Sequence, residues 1–145
     1  MIILGVDYGD VRTGLAVCDK FEMMASGAGC IKAEGFRRAA EGVAARAREL
    51  KAELIVVGNP VNMDGSEGER SVKCKEFAAY VSELSGIPAE MYDERLTTVS
   101  AHRYLSASGL DSRKHKKHVD ELSAQLILED FLAVRKRSGV QQASE

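Results

Sequence analysis

Apolar positions along this chain fall into short unbroken runs, separated by longer stretches in which they recur every three or four residues. The first run, Ile2 to Val6, stops at an acid, Asp7; a turn with Gly9 and Gly14 follows, and a second run covers Leu15 to Cys18. Runs this short and rich in β-branched residues predict strands, and the few glycine-containing residues between them predict a hairpin. A strand apolar on successive residues is covered on both faces, so the first belongs centrally in a sheet. Asp7 then stands at the carboxyl end of a central strand, where open α/β sheets collect ligands. A carboxylate there needs backbone donors, a cation or a proton. Capping of the hairpin turn answers that need as well as an active-site role does.

Further along, Phe21 to Ser26 reads as a connection and Gly27 to Ala33 as a third strand. Phe36, Ala39, Ala40, Val43, Ala47 and Leu50 then recur at helical spacing, with arginines on the opposite side. Glu53 to Gly58 is a second buried strand, and reaching it through a helix predicts a parallel crossover. The loop Gly58 to Glu69 holds an Asp64-Gly65 turn signal, and Ser66 with Glu69 matches a capping box for a helix that turns Phe77, Val81 and Leu84 inward. Pro88 to Tyr92 is a short strand leading into Asp93-Glu94-Arg95, and Thr97 or Thr98 caps a helix through His102 to about Ala107. A final helix is expected from Val119 to about Arg137, with Leu122, Ala124, Ile127, Leu128, Phe131 and Leu132 on its apolar face. The order β-β-β-α-β-α-β-α-α predicts an α/β fold with a mixed sheet and helices on both faces. One domain over residues 1–138 and a polar tail over 139–145 follow from this reading.

A length of 145 residues, 45% apolar and 29% charged, suits one globular domain that buries about two thirds of its unfolded surface. No apolar stretch is long enough to span a bilayer, and the start lacks the pattern of a signal peptide. The three cysteines have no metal-ligand spacing and are expected to stay reduced in a cytoplasm. A net charge of −2 carries no global signal for nucleic acid. Its distribution does: Arg113-Lys114-His115-Lys116-Lys117-His118 is an unbroken basic segment, a phosphate footprint or else a solvated loop.

Three acids stand at element ends: Asp7, Glu94 and Asp120. Asp120 at a helix start also complements the helix dipole. Carboxylates from separate elements beside a basic segment match what Mg2+ or Mn2+ requires, hard oxygen ligands completed by substrate phosphate. The phosphate loops GxxxxGK[ST] and GxGxxG do not occur, and neither does a Ser/His/Asp elbow.

Four blocks now carry a resemblance: LGVDYGDVRTGLAV, VVGNPVNMDGSEG, YDERLTTVSA and SRKHKKHVDELSAQLILEDFL. In order and spacing they resemble the YqgF family of pre-16S ribosomal RNA nucleases and Holliday-junction resolvase homologues, over nearly the whole chain. The resemblance implies a ribonuclease-H-like fold with a five-stranded mixed sheet, and a divalent-metal nuclease site whose acids are Asp7, Glu94 and Asp120. Asp93 is expected on the opposite face of its strand from Glu94. Asn59, where the family pattern has an apolar residue, and Ser123, where it has alanine, are departures that bear on substrate fit. The chain is thus expected to be a cytoplasmic, Mg2+- or Mn2+-dependent endonuclease acting on structured RNA, with Arg95, Arg113, Lys114, Lys116, Lys117 and Asn62 on the nucleic acid and His118 auxiliary. Asn62 and Asp64 read equally as a turn and helix cap. A resolvase of branched DNA, which needs a homodimer, and a non-cleaving nucleic-acid-binding module are the alternatives.

Overall fold

The computed structural model describes residues 1–62, 64–94 and 112–143, with side chains of the last stretch described for 121–138. The predicted hairpin forms: β1 (Ile3–Asp7) pairs antiparallel with β2 (Arg12–Cys18), which pairs antiparallel with β3 (Ala25–Lys32). Helix α1 (Phe36–Glu49) crosses to β4 (Leu54–Asn59), parallel to β1, and α2 (Glu69–Ser85) crosses to β5 (Ala89–Asp93), parallel to β4. The result is a five-stranded mixed sheet in the order β3-β2-β1-β4-β5. Its unbroken apolar strands lie inside: β4 is buried at every position and β1 at all but Asp7. The strand over Ala25–Lys32 begins two residues before the Gly27 expected from sequence.

Strand alternation sorts side chains to two cores. Leu4, Val6, Ile55 and Val57 meet α1 and α2, where Phe77 is fully buried, stacked on Tyr8 (4.1 Å) and edge-on to Phe36 (5.6 Å). Ile3 and Val56 meet the long final helix α3 (Ser112–Ala143) through Ala124, Ile127, Leu128 and Leu132. Helices therefore cover both faces, as expected.

Several local expectations change. The final helix starts at Ser112, so the basic segment 113–118 is helical rather than a loop; Lys and Arg are good helix formers, and no Gly or Pro interrupts them. The helix also continues through Ala143, beyond the end expected near Arg137. Leu122 is 37% exposed and does not join the apolar face. The capping box does not form: Ser66 bonds Asp64 and Asn62 within the loop, and Gly68 becomes the N-cap of α2. At the other end of α2, Gly86 takes the left-handed conformation (φ 75°) and returns its N–H to Ser82. The helix expected through His102, and Arg95 before it, lie outside the described residues.

Helix α3 lies close against β1. A Cβ at Gly5 would stand 2.9 Å from Leu128 Cβ and 3.0 Å from the Ala124 carbonyl oxygen. Both obstacles are tied to a helix backbone with little room to move. Gly5→Val is therefore expected to destabilise the protein by about 1–3 kcal/mol or more through overpacking, seen as a lower urea midpoint. An unchanged midpoint would mean that the close approach is not needed for folding.

Candidate active site

Alternation along β1 places Ile3, Gly5 and Asp7 on the α3 side of the sheet. Register continues from Val6 opposite Val57, so the residue beside Asp7 on β4 is Gly58, which in turn pairs with Tyr92 on β5. Gly58 also faces α3: a Cβ there would stand 2.5 Å from Glu94 Oε1 and 2.6 Å from Ile127 Cδ1. The carboxylate of Glu94, on a residue only 5% exposed, therefore occupies the space that a side chain at position 58 would take. Asp7 ends β1 and Glu94 directly follows β5, with β4 and its Gly58 between them at the carboxyl edge of the sheet. Adjacent strands lie about 4.8 Å apart, so β1 and β5 are separated by about two such spacings. A carboxylate as enclosed as that of Glu94 needs hydrogen bonds or a cation to offset its lost hydration.

Asp93 takes the other side, as predicted. It pairs with Asn59, whose Oδ1 accepts a hydrogen bond (2.6 Å) from the fully buried Ser71 of α2. The polar residue in an apolar position at Asn59 thus has a matched partner inside the domain. Ser123 is buried as an alanine would be.

Helix α3 runs back along the sheet from the Asp7 edge. Glu121 reaches Gly27 and accepts a hydrogen bond from the Gly29 N–H (3.4 Å), while Leu132 lies farther down, lining a hollow with Met24 and Ala25. Position 120, one turn before Ala124, is therefore at the end of the helix nearer Asp7. The side chains of Asp120, Arg113, Lys114, Lys116, Lys117 and His118 lie outside the described residues, and so does Arg95. Among the described residues no three His, Cys, Asp or Glu side chains are grouped closely enough to hold a metal ion.

Asn62 is engaged inside its own loop. Its Nδ2 donates to Ser66 Oγ (3.0 Å) and its carbonyl accepts from the Gly65 N–H (2.9 Å), the geometry of a turn. Two features of the site escape a reading of the sequence. Gly58 looks like the start of a loop, and its role as the space for Glu94 exists only through pairing of β4 with its neighbours. Arg70 and Lys73, in the first turns of α2, converge on Asp10 just beyond Asp7, across 60 residues or more of sequence.

The sequence profile of the RuvX family, described as Holliday junction resolvase, matches residues 1–134. This chain belongs to the RuvX family. Similar members include a protein of Ruminiclostridium cellulolyticum, 40% identical over 91% of this chain and 94% of its own length, and one of Syntrophus aciditrophicus, 39% identical over 91% and 88%. Each is named "Putative pre-16S rRNA nuclease". Solved structures share the fold at low identity. Thermus thermophilus RuvC in complex with a Holliday junction substrate superposes with a TM-score of 0.58 at 14% identity, covering 94% of this chain and 96% of that one. The fowlpox virus Holliday junction resolvase gives 0.52 at 14% identity, covering 92% and 99%. The RuvX chain is accordingly a nuclease on a ribonuclease-H-like fold, and nucleic acid is its partner. Among the described residues no helix is long and apolar enough to cross a membrane.

Gly58→Ala tests the site at its narrowest point. The methyl group meets the flexible ends of Glu94 and Ile127, so the fold should survive while the carboxylate shifts. Misplacement on the order of 1 Å costs about 10²-fold in rate. Nuclease activity should fall by about that factor with the circular dichroism spectrum unchanged; wild-type activity would show that the Glu94 position is irrelevant to cleavage.

Proposed function

We propose that this protein is a cytoplasmic, Mg2+- or Mn2+-dependent endonuclease acting on pre-16S ribosomal RNA, with Asp7, Glu94 and Asp120 as its metal-binding acids. The observation that carries the reading is the buried Glu94 carboxylate standing against Gly58, the β4 residue that follows on from the β1 register beside Asp7, on the face covered by α3. The donor set fits the ion: hard carboxylate oxygens brought together from separate strands, with side-chain space cleared between them, suit Mg2+ or Mn2+ and not a soft metal. Asp120 would supply the third carboxylate from α3. When bound, such ions make water nucleophilic and stabilise charge on the attacking and leaving oxygens.

The chain's own groups account for the remainder. Asp7 and Glu94 are anchored at strand ends of a rigid sheet, which fixes their separation and orientation. Arg113, Lys114, Lys116 and Lys117 fall within about one and a half turns at the start of α3, and positions 116 and 120 are one turn apart. The helix would thus bring phosphate-binding cations and the third acid to the same edge. Arg95, directly after Glu94, is assigned to phosphate, Asn62 to the groove wall, and His118 to an auxiliary role in placing water.

RNA is preferred as substrate because relatives at 39–40% identity carry the rRNA nuclease name, whereas likeness to RuvC at 14% speaks for the fold alone. The second reading, cleavage of branched DNA, is favoured by the family's description as Holliday junction resolvase and requires a homodimer with two sites.

Asp7→Asn, Glu94→Gln and Asp120→Asn should each lose most metal-dependent cleavage of a precursor-rRNA fragment while remaining folded, with a four-way DNA junction assayed alongside. If all three cut at wild-type rates, the acids are misassigned. Mg2+ or Mn2+ should also raise the melting temperature of the wild type, because a ligand bound only by the native state stabilises it by mass action. Asp7→Asn should gain far less. Equal metal responses, with the variant less stable in EDTA, would mark Asp7 as a turn cap.

A further inference from the structure

On the opposite side of β1 from Asp7, a second set of charges is assembled. Tyr8, the next residue, turns into the aromatic core and is 5% exposed. Its ring is stacked on Phe77 at 4.1 Å, and the Arg70 guanidinium lies over it at 5.0 Å from the ring centre. Arg70 Nη2 donates to the Tyr8 carbonyl (2.6 Å) and Nη1 to Asp10 Oδ1 (2.8 Å). Lys73, one turn later on α2, donates to the same oxygen at 3.1 Å and lies 5.8 Å from the Tyr8 ring. Hydrogen bonds from Lys73 and then Arg70 hold the Asp10 carboxyl below its ordinary range, and Asp10 in turn raises Lys73.

This arrangement is more than a surface ion pair. Two cations share one carboxylate oxygen, so a unit of positive charge is left unmatched within the triad. Apart from Asp10, Arg70 is held by the Tyr8 carbonyl and over the Tyr8 ring, which lowers the entropy cost of binding an anion in that geometry. Asp10, in contrast, is 69% exposed in side chain and sits in the turn between β1 and β2, so it can leave the cations without uncovering any core. The nearby acids Glu67 and Glu69 do not join the triad; Glu67 is paired with Lys75.

We infer that Arg70 and Lys73 form a seat for a backbone phosphate of the nucleic acid, one residue beyond Asp7, with the Asp10 carboxylate as a stand-in that the phosphate displaces. The inference rests on the nuclease reading and adds to it a contact on the α2 side of the cleavage edge. A strand laid across that edge would meet cations on both sides of the site acids, those of α3 and those of α2. A phosphodiester brings two anionic oxygens to two donors and replaces a single carboxylate oxygen shared between them.

The test is equilibrium binding of a precursor-rRNA fragment and of a four-way DNA junction in EDTA, at several salt concentrations. It compares wild type with Lys73→Gln, Asp10→Asn and, as a charge-matched control, Glu41→Gln at an exposed position on α1. Losing one phosphate contact should flatten the salt slope for Lys73→Gln by about 0.7–0.9 and weaken binding about five- to eight-fold at 0.1 M salt. Asp10→Asn should bind more tightly than Glu41→Gln, although both change the net charge equally. Lys73→Gln with a wild-type slope, or Asp10→Asn binding no better than the control, while the wild type still cleaves, would overturn the seat and leave the nuclease reading intact. The triad would then be a staple between α2 and the β1–β2 turn. A wild type that neither binds nor cleaves either nucleic acid would overturn both.

Discussion

Close approach of α3 to the strands beneath it is the constraint on which the rest of the structure depends. It needs positions without side chains. At Gly5 the Ala124 carbonyl and Leu128 stand where a Cβ would be, and at Gly58 the Glu94 carboxylate and Ile127 do. Glycine weakens a strand on its own account. The burial of Ile3, Val56, Ala124, Ile127, Leu128 and Leu132 in the contact so formed offsets that weakness. Without the approach, α3 would ride higher on the sheet, and the carboxyl edge of β1 and β4 would open to water. The same two glycines therefore serve the packing of the helix and the enclosure of the acid.

Alternation along β1 then divides the electrostatics of the domain. Asp7 faces α3, whereas Tyr8, next to it, faces α2 and carries Arg70 over its ring. Asp7 lies on the α3 side, whereas Arg70 and Lys73 lie on the α2 side, where they share the Asp10 carboxylate. A chain of net charge −2 can therefore still present positive charge locally. What matters to an approaching phosphate is local charge within a Debye length, about 8–10 Å in physiological salt, and not the sum over the surface.

The two cores differ in kind. The α1/α2 side is a large aromatic and aliphatic cluster around Phe77, which suits a foundation that does not move. The α3 side is smaller and ends in polar groups at the Asp7 edge. The two faces of one sheet thus differ in how they are filled, with the bulk of the aromatic packing on the α1/α2 side.

Much of this was legible in the residues alone. Short β-branched runs, the glycine-containing hairpin and the helical recurrence of apolar positions are properties of neighbouring residues, so they predict β1 to β5, α1 and α2 with small shifts of boundary. Asp7 and Glu94 could be placed at strand ends for the same reason. The basic segment was misread as a loop because charge density outweighed the absence of any helix breaker. The Ser66–Glu69 cap failed because Asp64 and Asn62 compete for the same hydroxyl. The glycine between the acids, the pairing of Asn59 with Ser71 and the reach of Arg70 to the strand after Asp7 were decided by tertiary structure alone. Side-chain periodicity is set by the local chain, whereas which strands lie side by side, and in what register, is set by burial summed over the whole domain.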